Sequence, residues 1–250
     1  MEALASASVG IVHGDAVLHF TRGDTALGQY GYREAAVLTP LADQGARPHE
    51  SVFGVGPKWQ LVPERLYRHA DCREYLAATY PSTSEDIGVV ALPSIGALGL
   101  FEREPNIPAG VGADHHLCEL LIATAQAMRE RRRDFVLAFF TVSHSWLVIY
   151  RRGELIHAQS RPMTTGPDAV FFAAALLQQF GLDRDATPVY VGGAISSEGQ
   201  LLRELVVYFD VRPLSKAVPA PAAPAAMHLL LAYGRVLRDG IYALSTDDNA

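Results

Sequence analysis

Two short segments of the 250-residue chain combine side chains that could do chemistry. Ser143-His144-Ser145 places hydroxyl groups beside an imidazole, the pairing that activates a serine nucleophile. Adjacent side chains of a strand or tight turn point to opposite faces, and no Gly-x-Ser-x-Gly elbow surrounds the segment. A polar turn between two core strands is therefore the better interpretation, and we predict no catalytic residues.

The segment His115-His116-Leu117-Cys118-Glu119 contains the side-chain types that bind metals. On a helix His115 shares a face with Cys118 or Glu119, whereas His116 diverges by about 100°. That leaves fewer neighbouring ligands than a structural zinc site requires. We interpret the segment as the surface of a helix start and predict no metal site.

The charge balance argues against polyanionic partners. The formal net charge is −6, so the protein as a whole does not attract nucleic acid or an anionic bilayer. The basic run from Arg129 to Arg133 is interrupted by Glu130 and followed by Asp134, which favours a solvated helix end. We predict no nucleic-acid partner.

Cysteine usage and the absence of targeting patterns indicate the cytoplasm. Cys72 and Cys118 lie in no Cys-x-x-Cys motif and are too few for a disulfide framework. The first residues lack the basic region and apolar core of a secretory signal, and no run approaches the roughly 18 apolar residues of a membrane helix. We expect a cytoplasmic protein with no membrane partner.

Two regions of the chain share a succession of elements. Placing Arg22-Gly23-Asp24 beneath Arg152-Gly153-Glu154 aligns residues 16–20 with residues 146–150, so that each region becomes a hairpin with glycine in its turn. Chance similarity between two apolar hairpins is the alternative, but the alternating elements after each hairpin favour duplication. After the first hairpin the patterns predict strands at 51–55 and 59–62, a helix at 71–79, a strand at 87–92 and a helix at 114–131. After strands at 135–140, 146–150 and 155–158, they predict a helix at 168–180, a strand at 189–191 and a helix at 197–207.

Several residues give helix-end and linker signals. Asp114 and Asp168 are predicted N-caps, and Gly181 is predicted to close the helix that Asp168 begins. The Pro/Ala-rich segment 217–226 is predicted to form an extended strap or a mobile loop before a short helix at 228–237. The predicted lobes are residues 1–133 and 134–250.

The order of elements resembles the actin-like ATPase superfamily of sugar kinases, Hsp70 and actin. More closely, Leu61–Tyr67, the Gly153 hairpin, the helix that leads to Phe180-Gly181-Leu182, and Val189–Gly193 resemble the DUF3822 family of Bacteroidetes, whose function is uncharacterised. The resemblance implies an α/β, two-lobed, actin-like (ribonuclease H-like) duplicated fold. Each lobe would be a mixed sheet with a leading antiparallel meander and flanking helices.

The resemblance also implies where nucleotide would bind. In active members the first turn of each lobe carries Asp-x-Gly, whose glycine lets amides approach phosphate while the aspartate positions a metal ion or water. Here the first turn, His13–Ala16, has Gly14 and Asp15 in the wrong order, and the second, Thr141–Ser145, has neither residue. Only the adenosine motif, which consists of small residues after a strand, has a match, at Val191-Gly192-Gly193-Ala194. If nucleotide binding is retained, the candidate residues are Gly14, Asp15, Ser143, His144, Gly192, Gly193 and Ala194.

These patterns favour a non-catalytic binding or scaffold protein that needs no cofactor and engages an unknown protein partner or itself. The alternative is an ATPase or small-molecule kinase that uses ATP and Mg²⁺ through Asp15 and Gly192-Gly193. A third hypothesis is a homo-oligomeric, filament-like assembly. Under the enzyme alternative, Gly193→Arg is expected to abolish nucleotide binding without unfolding the protein.

Overall fold

A computed structural model describes residues 8–13, 16–24, 30–40, 51–103, 114–129, 131–163, 165–196, 198–218 and 223–239. The candidate residues Gly14 and Asp15 lie outside the described residues, as do positions 219–222 of the predicted strap. The chain divides into two compact units, Met1–Glu119 and Leu120–Ala250. This division falls N-terminal to the lobe boundary expected after residue 133.

The first unit contains a five-stranded mixed sheet. Its strands are β1 (Ser8–His13), β2 (Ala16–Asp24), β3 (Tyr30–Pro40), β4 (Ser51–Gly54) and β8 (His115–His116). The strand order is β3-β2-β1-β4-β8. The first three strands form an antiparallel meander, and β4 and β8 then add in parallel. Consecutive as well as alternate apolar residues of β1 and β2, among them Ile11, Val12 and Leu18, are fully buried, as expected for strands covered on both faces.

The first unit also contains a second, three-stranded antiparallel sheet, which is formed by the part of the chain that connects β4 to β8. It contains β5 (Trp59–Pro63), β6 (Ile87–Leu92) and β7 (Ala97–Glu102) in the order β5-β7-β6. Helix α1 (Cys72–Ala77) accompanies it, and Val62, Leu76 and Leu100 form a small core there. The chain thus builds a separate layer before returning to β8.

The second unit contains a five-stranded sheet with the same pattern. Its strands are β9 (Phe135–Phe140), β10 (His144–Arg151), β11 (Glu154–Pro162), β12 (Val189–Gly193) and β13 (Val211–Pro213). The order is β11-β10-β9-β12-β13, with an antiparallel meander followed by two parallel strands. The predicted mixed α/β class, with a meander leading each sheet, is confirmed.

The second unit also contains helices, two of which lie on the crossovers between its strands. The helices that follow α1 are α2 (Leu117–Arg129), α3 (Gly166–Gln179), α4 (Gln200–Tyr208) and α5 (Ala225–Asp239). On one face of the sheet, α3 and α4 bury Ala173, Leu177 and Leu205 against strand residues such as Val136. On the opposite side of β9, Tyr233 of α5 stacks on Phe139 with ring centroids 6.0 Å apart. The sheet is therefore buried on both faces.

The strand predicted at 87–92 is confirmed, whereas the hairpin turn predicted at Gly23 was wrong. The fourth strand of its large sheet is β4, whereas the strand predicted at 87–92 is β6 of the small sheet. Gly23 does not form a turn, because it lies in β2 opposite Gly31, and the ladder continues to Asp24. In the second unit, by contrast, Gly153 does form the tight turn between β10 and β11, with φ of +81°.

The helix ends differ from the predictions by a few residues. Helix α3 begins at Gly166, so Thr165 is its N-cap and Asp168 is the third helical residue of the capping box. Helix α2 begins at Leu117, and Asp114 instead pairs with Arg103 at 3.3 Å. Gly181 follows α3 in the left-handed conformation with φ of +60°, as predicted.

The strap prediction for 217–226 was wrong at its described ends. Val218 is buried, and Ala225 and Ala226 already belong to α5. Pro224 directly precedes that helix, where its missing N–H costs nothing because the first helical amides have no intrahelical partner.

Candidate functional site

Five of the predicted nucleotide-binding residues lie at one edge of the second unit's sheet. Strands β9 and β12 are parallel, and both end there. Ser143 and His144 follow β9, while Gly192 and Gly193 end β12 and Ala194 comes next. The Ala194 N–H donates to the Phe140 carbonyl at 2.7 Å, which joins the two strand ends. The structure thus brings the second-lobe candidates to a common edge.

The turn between β9 and β10, residues 141–144, is closed by its own hydrogen bonds. The Thr141 N–H donates to the His144 carbonyl at 2.9 Å, and the His144 N–H donates to the Thr141 hydroxyl at 3.2 Å. The Ser143 carbonyl accepts from the Met163 N–H at 2.9 Å. These bonds fix the turn through groups that would otherwise be available to a ligand.

Ser143 and His144 meet, contrary to the prediction from their adjacency. The Ser143 hydroxyl lies 2.8 Å from Nδ1 of His144, because the turn rotates both side chains to one side. Burial lowers the pKa of His144, so its imidazole is neutral near pH 7. In the described part of the chain no carboxylate bonds to this imidazole, and the pair therefore lacks the orienting group that completes a serine-histidine triad.

The glycine pair at the end of β12 has a packing reason. Gly193 has a φ of +88°, and a Cβ there would overlap the Phe140 carbonyl and lie 2.8 Å from the Phe140 nitrogen. Gly234 of α5 also approaches closely, since a Cβ on it would lie 3.0 Å from the Gly193 nitrogen. Gly193→Arg would therefore disrupt the sheet itself, and it cannot test nucleotide binding separately from folding.

A small cavity of about 170 Å³ lies beside this glycine pair. Its walls come from the end of β12, from α4, from the segment after β13 and from α5. Its lining residues are Val191, Gly192, Gly193, Ile195, Leu202, Pro213, Leu214, Ser215, Leu231, Gly234 and Arg238. Pockets for drug-sized ligands usually measure about 300–1,000 Å³, so this cavity accommodates a single ring or a short chain.

No group of three or more His, Cys, Asp or Glu side chains within the described ranges is placed to hold a metal ion. The predicted helix surface at 115–119 was wrong, because His115 and His116 form β8, and His116, Cys118 and Glu119 are all buried. The ring of His116 stacks on Trp59 at 4.8 Å and lies 5.1 Å from the ring of Phe101. Sequence reasoning missed this aromatic cluster, which forms only when β5, β7 and β8 come together.

His116 also caps the start of α2. Its Nδ1 accepts from the Cys118 N–H at 3.2 Å, and its own N–H donates to Glu119 Oε1 at 2.7 Å. Because Nδ1 accepts, Nε2 carries the proton and donates to the Gly56 carbonyl at 2.9 Å. Burial lowers the pKa of His116 to about 4, although the bond to Gly56 opposes this shift. The imidazole is therefore neutral and works as a helix cap.

The neighbouring thiol is unsuited to metal binding or nucleophilic attack. Burial, with a further contribution from Glu119, raises the pKa of Cys118 well above its ordinary value. The thiolate is the reactive form and the metal ligand, so a protonated Cys118 does neither. Within its unit it acts as a small buried apolar residue.

A family model described as a protein of unknown function, DUF3822, matches residues 56–211, well over half of the chain. The chain belongs to this family. The matched region of this DUF3822 member begins at the Gly56 that accepts from His116 and includes the turn 141–144 and the Gly192-Gly193 strand end. No curated protein matches the chain.

Solved structures show the fold of this DUF3822 member. A Bacteroides thetaiotaomicron protein with an actin-like ATPase fold and unknown function is similar over 92% of this chain and 98% of its own, with 12% identity and a TM-score of 0.68. The chain therefore has the actin-like ATPase fold, as predicted from the resemblance.

Two further structures are similar at lower scores. A PilM–PilN type IV pilus biogenesis complex matches with 14% identity over 90% of this chain and 97% of the other, at a TM-score of 0.44. The ethanolamine utilization protein EutJ from Carboxydothermus hydrogenoformans matches with 10% identity over 89% of each chain, at a TM-score of 0.38. Separately, no helix in the described ranges is both long and apolar enough to cross a membrane.

Proposed function

We propose that this DUF3822 member is a non-catalytic binding or scaffold protein built on an actin-like ATPase fold. The observation that carries the proposal is the turn 141–144, which stands where an active member would hold a phosphate-binding carboxylate and glycine. This turn has neither residue, and its hydroxyl and backbone groups bond to one another. The turn therefore offers neither a carboxylate nor a glycine to position a metal-bound phosphate.

The strand end beside that turn supports the same proposal. Amides that approach a phosphate must be unoccupied and accessible. The Ala194 N–H already donates to the Phe140 carbonyl, and Gly234 of α5 packs closely against the Gly193 nitrogen. The glycines here serve close packing of β9, β12 and α5, which removes the need for a phosphate to explain them.

One observation favours nucleotide binding as a second candidate function, without hydrolysis. The cavity of about 170 Å³ lies against Gly192 and Gly193, the residues that match the adenosine motif, and Arg238 contributes to its lining. A nucleobase could enter such a space, but the ribose and phosphates would remain outside it. Binding of this kind would be weak and insensitive to magnesium.

Isothermal titration of the purified chain with ATP and ADP, with and without Mg²⁺, tests the proposal. We expect no heat and no thermal shift at nucleotide concentrations up to about 1 mM. Such a result means that the binding free energy is weaker than about 4 kcal/mol in magnitude. Phosphate release is measured in parallel. Magnesium-dependent binding or ATP turnover would overturn the proposal and restore the ATPase or kinase alternative.

A cavity-filling variant separates the second candidate from non-specific binding. Ser215 lines the cavity and is exposed, so Ser215→Trp is expected to block it without disturbing the core. If the wild-type chain binds nucleotide and Ser215→Trp does not, the nucleotide lies in the cavity. Equal binding by both proteins would place it elsewhere.

A further inference from the structure

Helices α3 and α4 expose an unusual amount of apolar surface. Phe171, Val206, Val207 and Tyr208 are 67%, 52%, 73% and 49% exposed, respectively. Among the described residues these are four of the six large hydrophobic side chains that are exposed. We call these four residues the α3–α4 face. Large apolar residues gathered on one surface mark interaction sites more often than residues scattered singly.

The helical repeat places this face on the outside of its layer. Phe171 is two residues from both Ala169 and Ala173, which are buried, so it points about 200° away from them. Val207 stands in the same relation to Leu205 and Phe209. Both side chains thus point away from the core that their helices share.

Helices α3 and α4 are neighbours in the second unit. Leu177 of α3 and Leu205 of α4 belong to the same core cluster. At the start of α3, the Glu204 carboxylate lies against Gly166, where an added Cβ would overlap it. The four residues of the α3–α4 face therefore lie on the outer sides of two helices that pack together.

This face is almost free of charge, although the chain carries a net charge of −6. Helix α3 has no Lys, Arg, His or Glu, and its one acidic residue, Asp168, is engaged in the capping box. On α4, Glu204 is half-buried and bonded to Gln200 at 2.7 Å, which leaves Arg203 as the exposed charge. An acidic chain therefore presents an apolar surface on which Arg203 is the exposed charge.

We propose that the α3–α4 face docks on the same face of a second copy of this chain. This deepens the proposed function and rests on it, because it names the partner of a binding protein. Two copies of charge −6 repel, so they associate most easily through a surface that keeps their charges apart. A self-complementary patch of this kind is what an isologous two-fold interface uses, here with Phe171 of each copy against Val207 of the other.

The area of the face sets the strength of the contact. The four side chains expose on the order of 400 Å² per copy, and about 800 Å² in a pair. Neighbouring outward residues such as Ala174 and Gln178 bring the total toward about 1,200 Å², the lower limit of a specific interface. The dimer is therefore weak and forms as the concentration rises.

Sedimentation velocity of the full chain between about 1 µM and about 300 µM measures this association. The wild-type chain is expected to shift from monomer to dimer within that range. Val207→Glu places a charge at the centre of the face and is expected to weaken the dimer at least about tenfold. The matched control is Val142→Glu, because Val142 is the same residue type with the same 73% exposure and belongs to the turn between β9 and β10, outside α3 and α4. This control is expected to dimerise as the wild type does.

Three results would overturn the proposal: a wild-type monomer across the series, a dimer that Val207→Glu leaves intact, or equal weakening by both variants. Thermal unfolding of each variant establishes that it is folded, and Phe171→Ser provides an uncharged second test of the same face. Nucleotide titration of the same samples distinguishes the two proposals. A monomer that binds no nucleotide overturns only the dimer, whereas magnesium-dependent nucleotide binding overturns the proposed function whatever the oligomeric state.

Discussion

The two five-stranded sheets have the same strand order, but the chain uses the space around them differently. In the second unit, α3 and α4 occupy the crossovers to β12 and β13 and pack on the sheet. In the first unit, the connection from β4 to β8 builds a small antiparallel sheet and an aromatic cluster instead. The strand order therefore specifies the scaffold, while the connections decide which surfaces and sites each unit has.

Glycines illustrate the difference between the units. On the small sheet, Gly99 and Gly88 make room for side chains, since a Cβ on either would overlap the ring of Trp59 or Phe101. On β12, Gly193 makes room for backbone. A ring can shift to relieve a contact more easily than a paired strand, so the second unit should tolerate substitution at its glycine less well.

The largest expected effect is at Gly193. Gly193→Ala combines a positive φ with overlap of the Phe140 backbone, and we expect it to lower the free energy of unfolding by more than about 4 kcal/mol. Gly96→Ala in the first unit is the control, because Gly96 has a φ of +61° but open space around its Cα. It should cost only about 1 kcal/mol of left-handed strain. Urea unfolding compares the two, and equal losses would mean that backbone contact at Gly193 does not matter.

The second effect concerns the buried cap of α2. His116→Ala removes the acceptor for Cys118, the donor for Gly56 and the ring between Trp59 and Phe101. We expect a loss of about 3 kcal/mol, from the cap, the unpaired carbonyl and the cavity together. His116→Asn retains a capping oxygen, so it should recover about 1 kcal/mol of that loss in urea unfolding. No recovery would show that the ring, and not the cap, is the function of His116.

The third effect is a pH dependence that both units share. Burial lowers the pKa of His116 to about 4, and burial with nearby Arg161 lowers that of His157 in the second unit to about 4. The unfolded chain binds these protons near pH 6.5 and the folded chain does not, so stability is present above about pH 6.5 and falls toward pH 4. Each histidine contributes about 1.4 kcal/mol per pH unit within that window.

His157→Phe tests how much the second unit contributes to the pH dependence of stability. It replaces a ring that packs 5.5 Å from Phe180 with another aromatic ring, and the pH slope of the unfolding free energy should fall by about 1.4 kcal/mol per pH unit below pH 6. An unchanged slope would mean that His157 takes up its proton in the folded protein as readily as in the unfolded chain.

The smallest effect concerns the exposed cap of α3. Thr165→Ala removes the acceptor for the Asp168 N–H and should cost about 1 kcal/mol, less than half of the His116→Ala effect. Thermal unfolding of the two variants side by side measures the ratio. Similar losses would show that burial adds nothing to a helix cap in this protein.

Long, locally patterned elements could be predicted from the sequence. Strands β9 and β10 are apolar runs with clear turn residues, and α3 has a helical repeat that ends at Gly181. β13, with three residues, and β8, with two, carry too little pattern to be recognised. β7 was missed as well, because it begins with the small residues of Ala97-Leu98-Gly99, which do not form a strand pattern. The reason for Gly99 is evident only in the structure, where a Cβ would overlap the ring of Trp59.

The candidate site was predicted in its position but not in its geometry. The strand-end glycines and the turn at Ser143 do lie at a common edge, as the element order implied. Their adjacency in sequence suggested that the side chains of Ser143 and His144 diverge, whereas the hydrogen bonds of Thr141 rotate the turn and bring them together. The buried position of His116 depends on Gly56 and Trp59, some sixty residues away in sequence, and no local pattern reports it.

The sequence by itself determined the longer strands and helices, their order, and the resemblance to an actin-like fold, because those properties depend on local periodicity and turn chemistry. The tertiary structure decided which strands pair, and it assigned β4 rather than β6 to the large sheet. Parallel pairing joins segments far apart in sequence, so it is settled by the packing of whole layers. The same long-range packing made Gly193 a structural requirement and left Phe171 and Val207 on the surface.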